Sequence, residues 1–162
     1  LPFAGHIFSA TFSHYLLLWL QRPDKMLNEM QRVTKTGGAV IALAEPDHQS
    51  RIDFPPPLDH LGALQTQALK DQGIDITIGR RLGKLFYECG FENIETGVLG
   101  AQWTKGVSNE NDEKEWMTLR SDLSGQLSHE TLAHYKAIDD QSRRAGTRIL
   151  FIPTFYAIGF VK

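Results

Sequence analysis

The sequence predicts an α/β fold, and three stretches carry the prediction. Pro23 to Asp47, PDKMLNEMQRVTKTGGAVIALAEPD, reads as a helix, a tight turn, a buried strand and a polar tip. Ahead of it, Ile7 to Phe12 is a mixed apolar and β-branched run that reads as a second strand. The two strands and the helix between them make a strand, crossover helix and parallel strand, a connection that is right-handed almost without exception. At the far end, Ile149 to Val161, ILFIPTFYAIGFV, is strand-like on both sides of Pro153.

Each element has a local reason. Pro23 suits the first helical position, where its missing N–H would be unpaired anyway, and Asp24 puts negative charge at the positive end of the helix dipole. Met26, Leu27, Met30 and Val33 recur at helical spacing, opposite Lys25, Asn28, Gln31 and Arg32. Lys35 is expected in the last turn, with Gly37-Gly38 tolerating the positive φ that lets the chain leave the helix. Ala39 to Ala44 is a short unbroken apolar run, the pattern of a strand covered on both faces by helices. Glu45, Pro46, Asp47 and His48 then stand where ligands bind in open α/β sheets, beyond the carboxyl ends of the strands.

Downstream, Pro55-Pro56-Pro57 leads into a helix carrying Leu58, Leu61, Leu64, Ala68 and Leu69 on one face and ended by Gly73. A second helix follows from an N-cap at Thr77, with Leu82, Leu85, Phe86 and Cys89 inward and Gly90 at its end. Arg80 and Arg81 lie near its start, unfavourable for the dipole; they read either as exposed charges or as groups with another task. Asn93 to Trp103 is expected as a strand with bulges at Gly97 and Gly100. Two polar amphipathic helices follow, Asn109 to Leu123 and one capped by Ser128, suited to a lid or to an outer layer. Pro153 marks a break between two strand segments.

At 162 residues, 41% hydrophobic and 22% charged, the chain is expected to fold as a single domain over residues 1–162. A net charge of −2 with scattered Lys and Arg gives no field for nucleic acid or anionic membrane. The longest apolar run, Tyr15 to Leu20, is far below the ~20 residues that span a bilayer. Cys89 has no partner for an internal disulfide, which fits a reducing, cytoplasmic setting. A metal site is not expected. His129 and His134 are five apart, about 140° around a helix, so they do not share a ligand face. Cys89, on an inward helix face, reads as core rather than nucleophile.

Taken in order, LPF at Leu1 to Phe3, SHYLLLWL from Ser13, EMQRVTKTGG from Glu29, the strand ending in EPD at Glu45 to Asp47, IGRRLGKLFYECGF from Ile78 and FYAIGFVK at the end resemble the C-terminal half of a class I S-adenosylmethionine-dependent methyltransferase of the small-molecule type. The resemblance implies a partial Rossmann-like fold with helices on both faces. Its strands would be the family's fourth to seventh, in a mixed sheet of order 4-5-7-6 with the last strand antiparallel between the fifth and sixth. It departs from the family in two ways. No G-x-G-x-x-G loop occurs in the sequence, and Ser9 stands where the family carries Asp after Phe. The N-terminal cofactor-binding half is thus expected elsewhere, in a longer or assembled enzyme, or else the chain is a non-catalytic module acting through self-association or a partner.

The same resemblance implies S-adenosylmethionine as cofactor, with Leu1, Pro2, Ser13, His14 and Tyr15 in contact with it; the alternative leaves Tyr15 in the core and His14 as an ordinary hydrogen bonder. Glu45 and Asp47 are candidates to orient or deprotonate the acceptor, against the alternative of turn caps. His48, Arg51 and Tyr156 are candidate acceptor contacts. The first strand would present an unpaired apolar edge, so a homodimer or other pairing through Ile7 to Phe12 is expected.

Overall fold

A computed structural model describes residues 1–100 and 110–162, excluding the side chains of residues 110 and 111. In chain order it contains β1 (Phe8–Ser13), α1 (Pro23–Val33), β2 (Thr34–Pro46), β3 (Ile52–Phe54), α2 (Pro56–Asp71), α3 (Ile78–Glu88), β4 (Glu92–Leu99), α4 (Glu110–Asp122), α5 (His129–Ala145), β5 (Ile149–Phe151) and β6 (Thr154–Phe160). Where the sequence suggests one domain, these gather into two compact units. The first comprises Leu1–Gln49, Gly73–Gly100 and Pro153–Lys162, and the second Ser50–Gln72 with the described part of 101–152.

The first unit is a four-stranded sheet of order β1-β2-β6-β4. β1 and β2 run parallel, and β6 lies antiparallel between β2 and β4. This is the expected mixed sheet with the last strand inserted. Pro23 opens α1, and Leu27, Met30 and Val33 form its buried face, as their spacing requires.

The exit from α1 differs from expectation. The helix closes at Val33 and Thr34 already belongs to β2, so Lys35 lies in the strand and Arg32 occupies the last helical turn. Thr34 makes this abrupt change workable: its hydroxyl donates to the Met30 carbonyl at 2.7 Å and pairs with Thr11 at 2.9 Å. The two glycines form a bulge rather than a turn. Register jumps from Phe8–Thr34 to Ala10–Ala39, and Gly37 takes φ +73° inside the strand. A Cβ on Gly38 would sit 2.8 Å from the Ser9 carbonyl oxygen, so close approach of β1 demands glycine there.

The sheet is covered unevenly. Val40, Ala42, Ala44 and Ala157 alternate onto one face and are buried. α3 seats Ile78, Leu82 and Phe86 against that face. Gly79 and Gly159 admit the contact, since a Cβ on Gly79 would meet the Glu45 carbonyl oxygen at 2.6 Å and one on Gly159 would meet Phe86 at 2.9 Å. The other face carries Phe12, Ile41, Leu43, Ile158 and Phe160, and Phe12 is 69% exposed. Cover on both faces, read from the unbroken apolar run, is therefore not met within this unit; β2 alternates between a buried and an open side.

The second unit packs α2, α4 and α5 around Leu58, Leu61, Ala68, Trp116, Leu119 and Leu123. α2 starts at Pro56, and α5 is capped by Ser128, whose hydroxyl accepts from the Thr131 N–H at 3.1 Å. A two-stranded antiparallel ribbon of β3 and β5 accompanies them, an element the sequence reading lacks. The break at Pro153 separates β5 from β6 as expected. Trp103 and Asn109, placed at a strand end and a helix start from sequence, lie outside the described residues. No described helix is long and apolar enough to cross a membrane.

Candidate functional site

The polar end of the β1–β2 pair is built by β1 stopping at Ser13. The chain turns sharply there: Tyr15 adopts φ +49°, held by its N–H donating to the Ala44 carbonyl at 3.0 Å. A left-handed conformation for a bulky aromatic residue is strained and persists only where surroundings enforce it. Glu45 supplies the enforcement. Its fully buried carboxylate accepts the N–H groups of Leu16 and Leu17 on Oε1 (3.1 and 3.0 Å) and of Leu18 on Oε2 (3.2 Å). It thereby satisfies the orphan donors that open the 3-10 turn Leu17–Trp19. Burial pushes the Glu45 carboxyl up from its ordinary value, although these three amides pull it down.

Leu17 and Leu18 are buried beneath this turn, while Tyr15 and Trp19 are exposed at 46% and 56%. The His14 and Tyr15 rings meet edge to face with centroids 4.8 Å apart. Ser13 is the anomaly. It is 5% exposed and its Oγ has no hydrogen-bond partner among the described residues. A buried hydroxyl left unpaired costs about 1–3 kcal/mol, which is uncommon unless a missing partner fills the position.

Asp47, also buried, stands one residue beyond β2. Arg80 reaches it from the first turn of α3 through two guanidinium nitrogens, Nη2 at 2.8 Å. The Asp47 N–H donates to the Pro153 carbonyl at 2.8 Å. Arg81 pairs with Asp75, whose carboxylate also accepts from the Thr77 N–H at 3.1 Å. The other task open to Arg80 and Arg81 in the sequence is thus ion pairing. Thr77 itself makes no side-chain cap; Asp75 takes that part.

A methyltransferase-domain family pattern matches residues 1–42. A Schizosaccharomyces pombe protein called an uncharacterized methyltransferase is 39% identical over 83 residues, 51% of this chain and 30% of its own. Among solved structures, a Thermotoga maritima S-adenosylmethionine-dependent methyltransferase superposes with TM-score 0.52 at 14% identity, covering 100% of this chain and 59% of that one. Haemonchus contortus phosphoethanolamine N-methyltransferase 2, in complex with S-adenosylhomocysteine, gives 0.50 at 12% identity, covering 99% and 35%. The chain is thus similar to class I S-adenosylmethionine-dependent methyltransferases, in sequence over part of its length and in fold throughout. It spans under a third of the yeast methyltransferase's length.

On this fold the candidate residues do not all converge. Ser13, His14, Tyr15 and Glu45 share the end of the β1–β2 pair. Leu1 and Pro2 lie instead beside the last turn of α1, at the end where β1 begins: the Leu1 and Phe3 carbonyls accept from Arg32 at 3.1 and 3.0 Å. Their distance from Ser13 follows from β1 itself, six residues of extended chain or roughly 17 Å. His48 opens a short 3-10 turn, His48–Ser50, directly after the polar tip. Tyr156 points to the open face of the sheet, where its hydroxyl donates to Glu95 at 2.9 Å and its ring covers Gly97.

Arg51 belongs to the second unit, where it is buried rather than presented to a ligand. It pairs with Asp53 and donates to Gln65, which donates in turn to Asp122 at 2.7 Å. Sequence reasoning missed the buried network beside it. Asp139 accepts from Trp116 Nε1 at 2.8 Å, Arg143 Nε at 2.8 Å and Arg148 Nε at 2.7 Å, and Arg148 also meets Asp53 at 2.8 Å. The Asp139–Arg143 spacing of i, i+4 on one helix was its only readable signal.

Proposed function

We propose that this chain forms the distal part of a methyltransferase that moves a methyl group from S-adenosylmethionine to a small-molecule acceptor. A cofactor-binding portion, from a longer or assembled enzyme, would pair with the edge of β1. The carrying observation is the β1-β2-β6-β4 sheet with β1 parallel to β2 and ending on a buried, unpartnered Ser13 hydroxyl.

The residues present fit one side of such a cofactor. Ser13 offers a buried hydroxyl, and His14 and Tyr15 offer exposed rings beside it. When bound, S-adenosylmethionine supplies an electrophilic methyl group on a sulfonium sulfur. This chain's part is placement: Glu45 fixes the Leu16–Leu18 turn and so the direction of the His14 and Tyr15 rings, and the Asp47–Arg80 pair holds the start of α3 against the tip of β2. In this reading Glu45 and Asp47 are positioning residues, and His48 is the acceptor contact nearest the tip.

The exposed edge supports the assembly. FSATFS in β1 contains neither charge nor proline, the devices that usually blunt an edge strand, and an unprotected edge recruits another strand. A second reading, a non-catalytic module that pairs through this edge as a homodimer, rests on the same uncharged, proline-free strand. Calorimetric titration of the purified chain with S-adenosylmethionine and S-adenosylhomocysteine tests cofactor binding by this chain. Near-micromolar binding supports the methyltransferase and overturns the non-catalytic module; no heat at millimolar ligand overturns cofactor binding by this chain on its own.

A further inference from the structure

The second unit contains a cavity of about 350 Å³ between the end of α4, the connecting loop and the first turns of α5. That is near the lower limit of small-molecule sites, which run ~300–1,000 Å³. Leu123, itself fully buried, forms part of its wall together with Leu127 and Leu132, which pack on the core of the unit. Arg120, Ser124 and His129 contribute the polar part of the lining.

Arg51, Arg143 and Arg148 of the same unit are all tied to carboxylates. Arg120 has no hydrogen-bond or ion-pair partner among the described residues, and neither has His129. Asp122, the acidic side chain closest in sequence to Arg120, accepts from Gln65 instead. His129 is the first residue of the 17-residue helix α5, whose amino end adds positive potential. The Arg120 and His129 side chains are both exposed, so an apolar wall is joined to a solvent-facing guanidinium that no carboxylate among the described residues engages, and that combination matches an amphipathic anion, a carboxylate in particular.

We infer that this cavity binds a small carboxylic acid with an apolar tail, the carboxylate on Arg120 and the tail against Leu123, Leu127 and Leu132. The site is independent of the methyl-transfer reading, because it is built wholly from the second unit.

Octanoate is the probe, with 1-octanol and octylamine as controls, followed on the full chain by methyl NMR and calorimetry. The expected result is saturable octanoate binding that shifts the Leu123, Leu127 and Leu132 methyls. Binding should weaken about tenfold for 1-octanol, for octylamine and for Arg120→Gln. Leu132→Trp, which fills the cavity, should abolish it. Arg120 is a surface side chain, so its variant keeps the test valid if Leu132→Trp does not fold. Absence of saturable binding, equal affinity for octylamine, or an unaltered Arg120→Gln variant would overturn the assignment.

Discussion

Replacing Glu45 separates a positioning carboxylate from a catalytic base. Glu45→Ala removes the acceptor of three N–H groups, two of them on the buried residues Leu17 and Leu18. Each buried donor left unpaired costs about 1–3 kcal/mol. Water reaching the vacated space offsets part of this, and so does relief of the burial that raises the Glu45 carboxyl. The net expectation is a loss of about 3 kcal/mol. Glu45→Gln has a different signature, because one oxygen serves both Leu16 and Leu17 while the other serves Leu18. An amide keeps the first oxygen but turns N–H₂ toward the Leu18 N–H, so roughly 1–2 kcal/mol should be lost. Denaturant unfolding gives the totals, and amide hydrogen exchange localises them. In Glu45→Ala the Leu17 and Leu18 amides should exchange about 100-fold faster, whereas in Glu45→Gln Leu18 should change more than Leu17. Stability within about 0.5 kcal/mol of the parent in both variants, with unaltered exchange, would refute the positioning role and return Glu45 to candidacy as a base.

The Glu45 carboxyl should titrate above the ordinary glutamate range; with the folded value raised, its stabilising contribution is complete below the unfolded pKa and lost as pH rises through the folded one. Carboxyl carbon NMR finding it at or below that range would contradict the burial argument. Asp139→Asn should cost about 3–5 kcal/mol by breaking a buried ion-pair centre. Burial raises Asp139, but Arg143, Trp116 and Arg148 outweigh it, so the carboxyl is lowered and its contribution holds above the unfolded pKa and fades as pH falls through the folded one. Thermal unfolding of Asp139→Asn matching the parent at pH 7 would dismiss the network as structural support. If β1 pairs two copies, light scattering at high concentration should read twice the 18.3 kDa chain mass, and Ser9→Lys with Phe12→Lys should return it to one. A monomer in the parent ends that proposal. Burial, with Asp24 and Glu88 adding, raises the Cys89 thiol, so iodoacetamide at pH 8 should label it more slowly than glutathione; faster labelling would show that the thiol is not shielded.

The first unit was readable because its signals are local. Pro23, Asp24 and the Leu27–Met30–Val33 stripe define a helix without outside help, and a six-residue apolar run bounded by turn residues marks a strand, although only one of its faces proves buried. The glycine pair was misassigned because two physical reasons for glycine look alike in sequence. A turn needs positive φ, and a close neighbour forbids a Cβ; Gly37 meets the first inside a strand and Gly38 the second, against a carbonyl 29 residues earlier. Arg80 announced a partner by its unfavourable position on the helix dipole, yet nothing local names Asp47, 33 residues away. β3 and β5 are three residues each, too short for alternation to register.

The end of β1 and the cavity in the second unit pose opposite problems in sequence, and that contrast says where function was legible. Ser13, His14 and Tyr15 stand out because they follow a strand in a known type of fold, although the strain at Tyr15 and the orphaned Ser13 hydroxyl appear only once the Glu45 carboxylate is in place beneath them. Arg120 and His129 look like any surface charges, nine residues apart and on different helices. Only their lack of partners beside a leucine-lined hollow distinguishes them, in a unit whose buried arginines are fully paired. A buried, unpaired hydroxyl points to the one site and an exposed guanidinium without a carboxylate partner to the other. The first calls for a neutral hydrogen-bonding partner and the second for an anion, so a single ligand chemistry does not account for both.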